Sequence, residues 1–189
     1  IWDFDIAAFR AAPQMALCLT YTDKSGEAHC IESDETWRTE SSPLLFDDYR
    51  FGEIYDGRLE IPGWNTIGFD DSAWEFAERA PQPRGEKRLC TAEPSDIVNE
   101  LKPISVTKTE KGYLYDFGIN TAGVCRLCVR GELDQRIELR HGEHLKDGLP
   151  DVENIWFKRE HWARDLEYVH KDVYTCRGDG EEVYTPAFT

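Results

Sequence analysis

Between Met15 and Tyr21 every second residue is apolar (Met15, Leu17, Leu19, Tyr21), and this period of two recurs along the chain. Side chains alternate across a pleated strand, so such a stretch offers one face to a core and the other to water. Thr22-Asp23-Lys24-Ser25-Gly26 supplies turn chemistry and Glu27 to Ser33 returns, which predicts a β-hairpin. Further strands are predicted over Pro103 to Thr109, Tyr113 to Phe117, Gly123 to Arg130 and Gln135 to Arg140. In the last of these Ile137 and Leu139 alternate with Arg136, Glu138 and Arg140. Asp172 to Arg177 and Glu182 to Pro186, separated by Gly178-Asp179-Gly180, complete the set. Helical signals are thin: Ser95 to Leu101 predicts a short turn behind Pro94, and Asn154 to Leu166 is bulky without a 3.6-residue period. The pattern predicts an all-β chain of antiparallel β-sandwiches.

The densest proline and glycine stretch, Ala80 to Lys87, marks a domain boundary. It divides an aromatic-rich part, residues 1–80, from a more regular strand array, residues 88–189. The chain opens at Ile1 and its single methionine is Met15, so it reads as an excised piece of something longer. With 22 Lys+Arg against 37 Asp+Glu the formal charge is −15. Such a surface repels phosphate backbones and anionic headgroups over a Debye length of about 8 Å, which argues against nucleic acid and membrane surfaces as partners. No apolar run approaches the roughly 18 residues of a membrane-spanning helix.

Cys125-Arg126-Leu127-Cys128 spells C-x-x-C, yet residues three apart on a strand point to opposite faces. Unless the strand is broken there, the two thiols then share neither a zinc ion nor a disulfide. A hairpin centred near Lys24 brings Cys18 and Cys30 across from one another; a cross-strand disulfide is one reading, and two small buried thiols the commoner one. His141-Gly142-Glu143-His144 follows a strand, is not H-E-x-x-H and reads as a turn with solvated imidazoles. Asp147-Gly148-Leu149-Pro150-Asp151 lacks the alternating oxygen ligands of a calcium loop and also reads as a turn. The expectation is no metal and no cofactor. There is no G-x-S-x-G, P-loop or G-x-G-x-x-G, so acyl transfer and nucleotide chemistry have no foothold. Carboxylates and aromatics are abundant instead, the materials of carbohydrate recognition and cleavage.

Two blocks go beyond composition. The first runs Asp47-Asp48-Tyr49-Arg50-Phe51-Gly52-Glu53-Ile54-Tyr55-Asp56-Gly57-Arg58, then Pro62-Gly63-Trp64, then Gly68-Phe69-Asp70-Asp71-Ser72-Ala73-Trp74. The second runs Tyr115-Asp116-Phe117-Gly118-Ile119-Asn120-Thr121-Ala122-Gly123, then His141-Gly142-Glu143-His144-Leu145, Asp147-Gly148, Asp172-Val173-Tyr174, Gly178-Asp179-Gly180-Glu181 and Tyr184-Thr185-Pro186-Ala187-Phe188-Thr189. In this order and spacing, from about Asp34 to the last residue, they resemble the non-catalytic β-sandwich region of bacterial α-L-rhamnosidases. The resemblance implies a parent that releases terminal α-L-rhamnose from glycosides with inversion. Its acid and base carboxylates would sit in an α/α barrel beyond Thr189, leaving no catalytic residue in this chain. It also implies that residues 1–80 are the closing part of a galactose-binding-like jelly roll. Residues 88–189 would be a concanavalin-like sandwich, truncated at its C-terminal edge. Partners implied are the rhamnose-containing glycan, met through the parent enzyme, and the chain's own C-terminal barrel. A stand-alone carbohydrate-binding module is the alternative.

Glu53, Asp56, Arg58 and Trp64 are the candidates for sugar contact or for a domain junction. On a strand Asp56 and Arg58 share a face while Glu53 points the other way. Asp56 and Arg58 then either pair, hold backbone groups, or meet sugar.

Overall fold

The structure is a computed structural model describing residues 12–48, 51–81, 86, 88–151 and 170–187. The expected bulky segment Asn154 to Leu166 lies outside them. Among the described residues there is no α-helix, and none is long and apolar enough to cross a membrane. The all-β expectation holds. The short turn expected over Ser95 to Leu101 does not form; that segment holds no helix, turn or strand.

The chain divides into two compact units, one of Ile1–Ser41 with Pro62–Glu93, the other of Ser42–Ile61 with Pro94–Thr189. A cut near residue 80 therefore misses a return: Ser42–Ile61, placed with the first part by sequence, builds into the second unit. The reason is a ladder that composition does not reveal, between strands more than a hundred residues apart.

The first unit contains the expected hairpin, β1 (Cys18–Thr22) against β2 (Ala28–Glu32). Asp23 makes the turn, its Oδ1 accepting from the Ser25 and Glu27 amides at 2.8 and 3.0 Å. A second ladder joins β3 (Arg38–Thr39) to β6 (Glu75–Phe76), with the Arg38 guanidinium 3.6 Å from the Phe76 ring centroid. The Asx-type turn expected at Asp70 is present, Ser72 N donating to Asp70 Oδ1 at 3.0 Å.

The second unit is built on a four-stranded sheet in the order β10 (Arg136–Arg140), β13 (Lys171–Thr175), β5 (Gly52–Asp56), β4 (Leu44–Asp48). β13 runs parallel to β5, with Val173, Tyr174 and Thr175 opposite Ile54, Tyr55 and Asp56. A purely antiparallel arrangement was expected; this pair departs from it because the partners come from distant segments rather than a hairpin. Across the core lies the ladder of β9 (Leu127–Val129) and β14 (Glu182–Tyr184). Tyr174, Cys176 and Tyr184 form the buried centre, with Tyr55, Ile137 and Leu139 contributed from the large sheet and Leu127 and Val129 from the small ladder. The period-two reading of β10 holds, Ile137 and Leu139 turning inward between exposed Arg136, Glu138 and Arg140. Cys128 faces out between Leu127 and Val129, as alternation requires.

Two further hairpins lie among the described residues of this unit. β7 (Ser105–Thr109) pairs with β8 (Gly112–Asp116), and β11 (His144–Lys146) with β12 (Leu149–Asp151). The second corrects the reading of this region as turns alone. Asp147 and Gly148, at φ 54° and 76°, are the two left-handed residues that a tight two-residue hairpin needs.

Candidate functional site

β5 begins at Gly52, whose φ of 91° is the left-handed region and whose missing Cβ would lie 2.4 Å from the Lys171 carbonyl oxygen. That close approach lets Asp172 of β13 reach across. Its Oδ1 accepts from the Glu53 amide at 3.0 Å, and its Oδ2 lies 2.9 Å from His141 Nε2. Glu53 then continues the chain of contacts. Its Oε1 accepts from the Tyr184 hydroxyl and its Oε2 from the Ala187 amide, both at 2.9 Å.

A parallel arrangement surrounds Glu182. Its Oε2 accepts from the Tyr174 hydroxyl and the Arg177 amide, each at 2.8 Å, and its Oε1 from the Gly178 amide at 3.0 Å. Glu53, Asp56, Asp172 and Glu182 are all buried, the last two completely. Burying a carboxylate costs several kcal/mol unless donors replace its water. Every one of these eight oxygens' groups is met from within the fold. Tyr174 and Tyr184, which serve Glu182 and Glu53, stack with centroids 4.9 Å apart, and Tyr55, whose hydroxyl donates to Glu60, packs against both at 5.9 and 5.3 Å.

Ionisation follows these contacts. Burial pushes the Glu53 carboxyl above its ordinary range, and the Ala187 and Tyr184 donors only partly offset it. For Glu182 burial acts in the same direction, but the Arg177 and Gly178 amides and the Tyr174 hydroxyl outweigh it and leave the carboxyl below its ordinary value. Burial pulls His141 down, while Asp172 and Cys125 pull it up further, to about 9. The imidazole is therefore a cation at neutral pH, paired with Asp172. The solvated turn histidine expected at 141 is instead four-fifths shielded and tied to a fully buried acid.

Asp56 and Arg58 do pair, as one of their readings proposed. Asp56 caps the short 3-10 helix Gly57–Leu59, its Oδ1 accepting from the Arg58 amide at 3.1 Å and from Arg58 Nε at 2.8 Å. The Arg58 side chain also meets Asp134. The side-chain hydrogen bond from Arg58 holds the Asp56 carboxyl below its ordinary value. Arg58 lies on that helix rather than on the strand itself, so local turn geometry makes the contact. Trp64 belongs to the other compact unit, 60% exposed, in a turn closed by Thr66 N to Gly63 O at 2.9 Å. Glu53, Asp56 and Arg58 thus share one stretch of chain in the second unit, and Trp64 belongs to the first.

Sequence reasoning passed over Asp172, Glu182 and Tyr184 as members of a site. Their signal was two acids, Asp172 and Glu182, each set beside Val and Tyr in a strand, which composition with 37 acidic residues obscures. The Cys18 and Cys30 thiols, read as buried, are both exposed, free and 3.3 Å apart.

This geometry has relatives. Residues 3–99 match the family described as "Alpha-L-rhamnosidase N-terminal domain" and residues 106–189 "Bacterial alpha-L-rhamnosidase concanavalin-like domain". The chain belongs to the bacterial α-L-rhamnosidase family. It is 34% identical over 183 residues to an α-L-rhamnosidase of Streptomyces avermitilis, covering 95% of this chain and 17% of the relative. The crystal structure of the Streptomyces avermitilis α-L-rhamnosidase complexed with L-rhamnose superposes with a TM-score of 0.79 at 33% identity, over 92% of this chain and 16% of that one. The α-L-rhamnosidase of Dictyoglumus thermophilum gives 0.76 at 34% identity, over 92% and 19%. The chain spans less than a fifth of the length of these rhamnosidases and covers their N-terminal and concanavalin-like part.

Proposed function

We propose that this chain is the accessory β-sandwich part of an α-L-rhamnosidase and supports a catalytic α/α barrel contributed by other sequence. The observation that carries the reading is the commitment of the buried acids. An inverting glycosidase needs one carboxylic acid and one carboxylate facing a substrate and a water, roughly 6.5–9.5 Å apart. Glu53, Asp172 and Glu182 instead spend their oxygens on tyrosine, histidine and backbone donors of the same unit. Asp56 spends its own on Arg58. These acids fasten β5, β13 and β14 to one another, which suits a rigid platform.

The parent's substrate class is then a glycoside ending in α-L-rhamnose, met through the parent enzyme. Of the four candidates, Glu53 and Asp56 serve the fold, and Arg58 is engaged by two aspartates. Trp64 is left as the residue with an open aromatic face for a sugar ring or a neighbouring domain. Titration calorimetry of the chain with L-rhamnose, with and without calcium, separates this reading from a stand-alone binding module. A flat titration in both arms is expected; saturable heat in either overturns the scaffold reading in favour of the module.

A further inference from the structure

The hairpin β1–β2 places Thr20 opposite Cys30 and Cys18 opposite Glu32. Cys18, Cys30 and Glu32 therefore share one face, with the two cysteines diagonal rather than directly opposed. Their sulfurs lie 3.3 Å apart, and one ligand atom from each of the three residues falls within 4.8 Å of the others. The rest of that face is Thr20, Thr22 and Ala28, so neither strand contributes a basic side chain to it. The Tyr21 and His29 rings stack on the opposite face, 4.9 Å between centroids, which pins the register.

Diagonal Cα atoms on an antiparallel pair are about 7–8 Å apart, beyond the 4.4–6.8 Å that a disulfide usually spans. A metal has no such difficulty. Two Zn–S bonds of about 2.3 Å at the tetrahedral angle hold their sulfurs about 3.8 Å apart, about half an ångström wider than the 3.3 Å here. We propose that Cys18, Cys30 and Glu32 form a binding site for a thiophilic divalent cation of the zinc class. Two thiolates and one carboxylate ligate it, and the fourth position is open to water or an external ligand. The mixed sulfur and oxygen set favours zinc over calcium or magnesium, which take oxygen alone.

Binding couples to protons. Ligation by thiolates releases thiol protons into solution, so affinity rises with pH.

Cobalt(II) reports on this site directly, because thiolate coordination gives a near-ultraviolet charge-transfer band and tetrahedral geometry intense visible bands. The reduced 189-residue chain, titrated anaerobically, is expected to bind one cobalt ion per chain with both signatures and to lose them on adding zinc. Cys18→Ser and Cys30→Ser are expected to abolish the thiolate band, and Glu32→Gln to weaken binding roughly tenfold or more. Cys90→Ser and Cys128→Ser should leave it unchanged. All five side chains are exposed, and far-UV circular dichroism verifies that each variant keeps the parent spectrum. No thiolate band in the parent chain, or a band that survives Cys18→Ser, overturns the proposal. So does a Cys18–Cys30 disulfide formed in air, mapped by mass spectrometry, if the reduced chain takes up no metal.

Discussion

Glu182→Ala removes the acceptor for three donors at once, which makes it the sharpest probe of the buried network. The Tyr174 hydroxyl, in a fully buried side chain, loses its partner outright, at about 1–3 kcal/mol for an unsatisfied buried donor. The Arg177 and Gly178 amides lie nearer the surface and recover part of their loss from water, so each adds about 0.5–1 kcal/mol. The sum is about 3 kcal/mol, a large share of the 5–15 kcal/mol that typically holds a domain together. Urea unfolding followed by far-UV circular dichroism measures it. Tyr174→Phe in the same background isolates one arm: the cycle should show a coupling of about 1 kcal/mol, because phenylalanine leaves no hydroxyl to orphan. The network also shapes the acid limb. The folded carboxyl of Glu182 lies below its unfolded value, so its contribution is present above that value and lost as the pH falls through the folded one. Glu182→Ala should therefore flatten the acid limb below about pH 4.5. A loss under 1 kcal/mol, or strict additivity with Tyr174→Phe, would refute the reasoning.

Three other outcomes follow from the same geometry. His141 is raised from 6.5 to about 9, so its pairing with Asp172 stabilises fully below pH 6.5 and fades as the pH climbs through about 9. The contribution is up to about 3 kcal/mol, and His141→Gln should remove that alkaline decline from urea midpoints measured across the range. Gly52→Ala places a Cβ against the Lys171 carbonyl oxygen at a positive φ. It should cost about 2–4 kcal/mol by urea unfolding, and a neutral result would contradict the close approach of β5 and β13. Trp64→Ala, at an exposed turn, should change stability by no more than about 0.5 kcal/mol; a larger loss would mean that the ring serves a core.

Much of the β architecture was readable because local patterning and the fold agree. The alternation of Ile137 and Leu139, the turn at Asp23 and the hairpin of Cys18–Thr22 with Ala28–Glu32 each rest on residues close in sequence. What escaped is non-local. Nothing near Gly52 announces that Lys171 and Asp172 will lie beside it, so the parallel pairing of β5 with β13 stayed hidden, and with it the assignment of Ser42–Ile61 to the second unit. The same holds for the site. Asp56 and Arg58 are two apart, and their pairing was among the readings available from spacing alone. Glu53 meets Tyr184 across 131 residues, and no periodicity carries that information. The cysteine hairpin was legible as a juxtaposition, whereas its diagonal register and exposure were not.

The central claim is that the abundant acids of this chain build a scaffold rather than an active site. Incubating the purified chain with an aryl α-L-rhamnoside and following release of the phenol tests it most directly. The account predicts a rate indistinguishable from buffer across the acidic to neutral range. Turnover by this chain that disappears in Glu53→Gln or in Asp56→Asn would contradict it.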